Sequence, residues 1–142
     1  MASIAELSQD LVNKLLLVPE LATNNSVSVG LVDDPKSTQY LNTPIPFAGV
    51  RFVAEQNLND SPLTKKQQPI RTVFAVSLHV KNGSDNVLNT ESFPFLDKVR
   101  STLEGTFTSD TAYAWQFVNG RMAFADETRL QYIQYYSVIT PK

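Results

Sequence analysis

The sequence predicts an α+β domain: a mainly antiparallel β-sheet with two helices packed on one face and a long protruding β-hairpin. Apolar residues recur at helical spacing twice, near the start and again after residue 92. Alternating strand patterns lie between and after these stretches, two of them long and adjacent. The order helix, strands, helix, strands favours helices segregated to one side over the strand-helix alternation of a doubly wound sheet. At 142 residues the chain reads as one domain, 1–142, able to bury a core without disulfides or a structural metal.

Ser3 and Glu6 have the spacing of a capping box, in which each side chain accepts from an otherwise free backbone N–H. Ile4, Leu7, Leu11 and Leu15 then share one helical face, with Asp10 and Lys14 on others, and the helix stops near Pro19. After the turn ATNNS, residues 26 to 32 form a short strand closed by Asp33, Asp34 and Pro35. The following stretch, DPKSTQYLNTPI, carries two prolines and several turn formers and reads as a loop.

Residues 47 to 56 read as a strand with Ala48, Val50, Phe52 and Ala54 on one side and Arg51 and Glu55 on the other. The polar loop NLNDSPLTKKQQP follows, with Lys65 and Lys66 together. Beyond it, IRTVFAVSLHVKN alternates most cleanly: Ile70, Thr72, Phe74, Val76, Leu78 and Val80 make a uniformly apolar face. Two such strands around one loop predict an extended hairpin whose tip serves as a contact arm.

A second helix is predicted over residues 92 to 105, capped by Ser92, with Pro94 in the first turn and Gly105 ending it. Phe95, Leu96, Val99 and Leu103 form its buried stripe, and Asp97, Lys98, Arg100 and Glu104 its solvated side. AYAWQFV and RMAFADE read as strands joined by a tight turn at Asn119-Gly120. The last strand, LQYIQYYSVIT, has two apolar faces: Leu130, Tyr132, Tyr136 and Val138 on one, Ile133, Tyr135 and Ile139 on the other. One face suits the helices, and the other is left for a second layer or a partner.

Twelve basic and fourteen acidic residues give a net charge of -2, with no bulk electrostatic case for nucleic acid or an anionic membrane. No leader pattern opens the chain, and no run approaches the roughly 20 apolar residues that cross a bilayer. There is no cysteine, so thiol catalysis and thiolate metal sites are absent. The single histidine, His79, stands mid-strand and reads as a surface or structural residue. Asp33-Asp34 and Asp126-Glu127 are adjacent pairs whose side chains diverge on a strand, so they suit turns better than a cation site. Without a phosphate loop, nucleophile elbow or zinc helix, the chain is expected not to be an enzyme and to need no cofactor. Surface recognition is the stronger lead.

The capped first helix, the long central hairpin, the segment FPFLDKVRSTLEG and the aromatic closing strand together resemble the minor tail proteins of contractile-tailed, Mu-like bacteriophages and, through them, the tail-terminator or tail-completion class. The run from Phe95 to Gly105 carries most of that resemblance. It implies a small α+β subunit that forms a ring, usually a hexamer, which caps the tail tube and sheath and joins the neck or connector. It also implies a place in the virion tail after assembly in the host cytoplasm. An adaptor or baseplate-side minor tail protein, or a non-viral protein-binding module, is the alternative. The expected protein interface comprises Arg51, Lys65, Lys66, Tyr132, Tyr135 and Tyr136, with the loop from Asn57 to Gln68 as the arm.

Overall fold

The structure, a computed structural model, describes residues 3–22, 26–29, 45–58, 69–108 and 113–141. In chain order these form α1 (Ile4–Leu15), a 3₁₀ turn (Pro19–Leu21), β1 (Val27–Val29), β2 (Phe47–Asn57) and β3 (Pro69–Lys81). A short helix α2 (Asp85–Val87), a π-turn (Leu88–Ser92), α3 (Phe93–Leu103), β4 (Gln116–Ala125) and β5 (Arg129–Pro141) complete them. The strands make one sheet in the order β1-β2-β3-β5-β4. Only the β1–β2 pair is parallel, so the sheet is mainly antiparallel as the sequence predicts. The long hairpin is β2–β3, but its loop over residues 59–68, with Lys65, Lys66 and all of the expected arm beyond Leu58, lies outside the described residues.

The α1 capping box forms as expected: Ser3 Oγ accepts from the Glu6 N–H at 3.1 Å and Glu6 Oε1 from the Ser3 N–H at 3.4 Å. Leu7, Leu11 and Leu15 are buried by the resulting face. Asp10 departs from expectation. It is 4% exposed, and its carboxylate accepts from Trp115 Nε1 at 2.8 Å and from Lys14 Nζ at 2.9 Å.

The second helix begins earlier than Ser92. Ser84 Oγ accepts from the Val87 N–H at 3.3 Å, and helical backbone then runs unbroken through the π-turn into α3. Pro94 explains the π-turn: it has no N–H for the carbonyl of Thr90, and its ring crowds that carbonyl. One residue before it, the Phe93 N–H reaches back to the carbonyl of Leu88 and so takes up an extra residue. Ser92 is thus free of capping, and its hydroxyl donates to the Lys81 carbonyl at 2.5 Å, fastening the helix to the end of β3. Gly105 ends α3 as predicted, at φ 78°, a left-handed conformation that other residues adopt at a cost.

Asn119-Gly120 is not a turn. Both residues lie within β4, and the β4–β5 turn falls at residues 126 to 128, where Asp126 Oδ1 accepts from the N–H groups of Thr128 and Arg129 at 2.8 Å each. Packing decides the matter, because the Tyr132 phenol of β5 occupies the place a Cβ on Gly120 would fill; such a Cβ would stand 2.6 Å from Tyr132 Cζ. Gly120→Ala should therefore lower stability by about 1 to 3 kcal/mol as Tyr132 is displaced. Urea denaturation checks this, and adding Tyr132→Ala should remove most of the effect of the alanine at 120.

Both helices pack on one face of the sheet. The core there joins Leu7, Leu11, Leu15, Val99 and Leu103 to Val50, Phe74, Val76, Leu78, Tyr136 and Val138. Near one end, Trp115 is fully buried and stacks edge-on to Phe74, ring centroids 5.9 Å apart. Tyr136 donates its hydroxyl to Gln134 Oε1 at 2.6 Å, and Gln134 Nε2 donates to the Leu96 carbonyl at 3.2 Å. Burial pushes the Tyr136 phenol well above its ordinary pKa, so this chain of bonds holds a neutral hydroxyl.

Candidate assembly surface

The faces of β5 divide the expected interface residues. Its register on β3 puts Tyr132 opposite Leu78 and Tyr136 opposite Phe74, on the helix side. Tyr135 is opposite Ala75, and Ala75 in turn is opposite Arg51 of β2. Arg51 and Tyr135 thus lie in one cross-strand row, with Ala75 between them, on the face where no helix packs among the described residues, the helix-free face. Tyr132 packs half-buried against the helix-side core, and Tyr136, with no exposed surface, is a core residue. The assignment of Tyr136 to an interface is corrected: strand parity alone turns it away from Tyr135 and inward.

The helix-free face is itself divided. At one end Phe47, Ser77, His79, Gln131 and Ile133 are at most 2% exposed, so the chain covers that part without a partner. Gln131 Nε2 donates to Ser77 Oγ at 2.8 Å, Phe47 meets the His79 ring edge-on, and Arg129 Nη1 lies 3.4 Å from His79 Nδ1. His79 is a structural histidine here, accepting at Nδ1 from a guanidinium. Among the described residues no three His, Asp or Glu side chains converge as a metal site would require, and no helix is long and apolar enough to cross a membrane.

At the other end the face opens into a groove of about 720 Å³. Arg71 and Arg121 flank it, Tyr135 and Asn119 form part of its floor, and Val53 and Val118 stand at its sides. Val53 and Val118 are 39% and 50% exposed. Both sit where the pairing register shifts, between Phe52 and Ala54 and between Phe117 and Asn119. A bulge inserts one residue and re-aims its side chain. Arg121 Nε donates to the Tyr135 hydroxyl at 3.3 Å, holding guanidinium and ring together at the groove wall. Apolar sides, two arginines and a tyrosine suit macromolecular recognition.

Of the residues expected at an interface, Arg51 and Tyr135 lie on this face; Arg121 and the two valines were not among those expected. The parity of β3 places Arg71 with Tyr135 and was legible. The position of Arg121 was hidden because the Asn-Gly pair suggested a turn where β4 runs straight on.

A second cleft of about 620 Å³ lies beside the π-turn, with Pro46, Val80 and Phe95 among its walls. Two of its charged residues pair with each other: Lys98 Nζ bonds Glu20 Oε2 at 2.8 Å and holds that carboxyl below its ordinary pKa.

Comparison with known protein families and with curated proteins gives no match. In fold the chain is similar to a chain of a solved structure described as the virion of a native gene transfer agent particle. The TM-score is 0.59 at 12% sequence identity, with 99% of this chain and 98% of that chain covered. At that identity the likeness is one of fold.

Proposed function

We propose that the protein is a structural component of a phage-like virion, and within that class a tail terminator whose ring caps the tail tube and sheath and meets the neck. The observation that carries the reading is the end-to-end correspondence with a virion chain, in which almost nothing of either chain is left over. A fold shared over the full length of both chains suits a subunit whose work is done by its surfaces. The Tyr135 groove supports the same reading. An exposed apolar and cationic concavity on a sheet face is a feature that assembly conceals.

On this reading the protein acts without catalysis or cofactor, and its partners are copies of itself, the tail tube and sheath, and a neck or connector protein. Multi-angle light scattering across a concentration series should show a particle several times the 15.8 kDa subunit mass, and negative-stain images of it should show rings. Incubation with purified tail tubes should place those rings at one tube end. A monomer at every concentration that also leaves tube ends bare would overturn the terminator assignment.

A further inference from the structure

We propose that the groove around Tyr135 receives the outer surface of the helix layer of a second copy of this chain, with Phe93 and Asp97 of that copy as the inserted residues. The inference rests on the reading of the protein as a self-assembling virion subunit and names the contact that joins its copies.

Charge is segregated across the sheet. On the helix-free face the described strand positions carry Arg51, Arg71, Lys81, Arg121 and Arg129 and no acidic residue. On the helix layer each base is already engaged within the layer: Lys14 with Asp10, Lys98 with Glu20 and Arg100 with Glu104. Asp85, Glu91 and Asp97 remain exposed there and make no ion pair among the described residues. Among the described residues one side is therefore cationic and the other acidic. Two grooves placed face to face would oppose arginine to arginine, which disfavours a two-fold contact. Groove to helix layer pairs opposite charges and is heterologous, the type of contact that closes into a ring.

The apolar parts correspond as well. Phe93 and Asp97 are four residues apart on α3 and so share one side of the helix. Phe93 is 41% exposed although large and aromatic. An aromatic anchor beside a carboxylate matches a groove with valine sides and guanidinium flanks, the ring entering between Val53 and Val118 and the carboxylate meeting Arg71 or Arg121.

The absence of cysteine allows a direct test. Arg121→Cys and Asp97→Cys variants, prepared separately and mixed under mild oxidation, should form a disulfide-linked dimer, and neither alone should do so to a comparable extent. In parallel, Arg71→Glu with Arg121→Glu, or Glu91→Lys with Asp97→Lys, should raise the dissociation constant for self-association by about tenfold or more. An equal mixture of the two reversed proteins should regain assembly, since each then offers a surface complementary to the other. Self-association should also weaken as salt is raised, because partly exposed charges are screened over roughly 8 Å at physiological ionic strength. If the wild type assembles but the mixtures neither cross-link nor recover, the contact is wrong and the virion reading stands. If the wild type stays monomeric and leaves tube ends bare, and the cysteine variants do not cross-link, both fail.

Discussion

Replacing Asp10 by alanine is expected to lower the stability of the fold by about 3 kcal/mol, a large fraction of what a domain of this size has in reserve. A buried donor and a partly buried one depend on that carboxylate. Trp115 Nε1 donates to Asp10 Oδ2 at 2.8 Å with the indole fully buried, and Lys14 Nζ sits 2.9 Å from both carboxylate oxygens with its side chain 16% exposed. Alanine leaves the indole N–H without an acceptor, which costs about 1 to 3 kcal/mol. The ammonium group also loses its counter-charge, but it can turn toward water, so its share falls below the full penalty of a stranded buried ion. Asp10→Asn keeps an acceptor for the indole and removes only the charge, so it should cost clearly less than Asp10→Ala. Trp115 is the sole tryptophan, so its emission reports directly on this site while urea unfolds the chain. Equal stability of Asp10→Ala and the wild type would mean that the buried carboxylate contributes nothing net.

Asp10 also shows where sequence reading stops. Helical periodicity placed Leu7, Leu11 and Leu15 on the buried side correctly; the same period sets Asp10, three residues after Leu7, beside that stripe, but it does not name the partner that lets a carboxylate be buried there. The side chain that buries it belongs to Trp115, 105 residues later. The same limit applies at Asn119-Gly120. The pair is a strong local turn signal, but a Tyr132 ring from the adjacent strand requires a glycine in β4, and the tertiary demand prevails. Signals that are local in their physics were legible in full: the Ser3–Glu6 capping box, the Gly105 helix stop, and the alternation that marks β3 as a strand. The fold class follows from such signals.

The candidate surface was legible by half, for a related reason. Parity along β5 separates Tyr135 from Tyr132 and Tyr136 with no knowledge of the fold. What parity cannot supply is which side the helices take, or that bulges at Val53 and Val118 turn two valines outward beside the groove. A bulge changes the phase of a strand, so residues after it exchange faces. Ala54 accordingly pairs with Val73 on the helix-free side, although the unbroken alternation of the sequence puts it with Phe52.

The adjacent tyrosines then give the sharpest expected contrast: Tyr136→Asp should prevent folding, and Tyr135→Asp should leave a folded protein that does not assemble. Tyr136 has no exposed surface; its ring stacks edge-on with Phe117 at a centroid distance of 5.6 Å, and its hydroxyl bonds Gln134. Removing a buried aromatic side chain costs about 3 to 5 kcal/mol, and a carboxylate in its place adds the desolvation of an unpaired charge. Together these approach or exceed the roughly 5 to 15 kcal/mol that holds a domain folded. Tyr135 is half-buried at the floor of an open groove beside Arg121. An aspartate there remains hydrated and faces a cation, so the folding cost should stay within about 1 kcal/mol. It would also carry negative charge into the place where the proposed contact receives Asp97, so self-association should fall sharply. Near-UV circular dichroism separates folding from assembly, and light scattering on the same samples reads the second. Loss of the near-UV signal in both variants would place Tyr135 in the core beside its neighbour and leave the groove without its central residue.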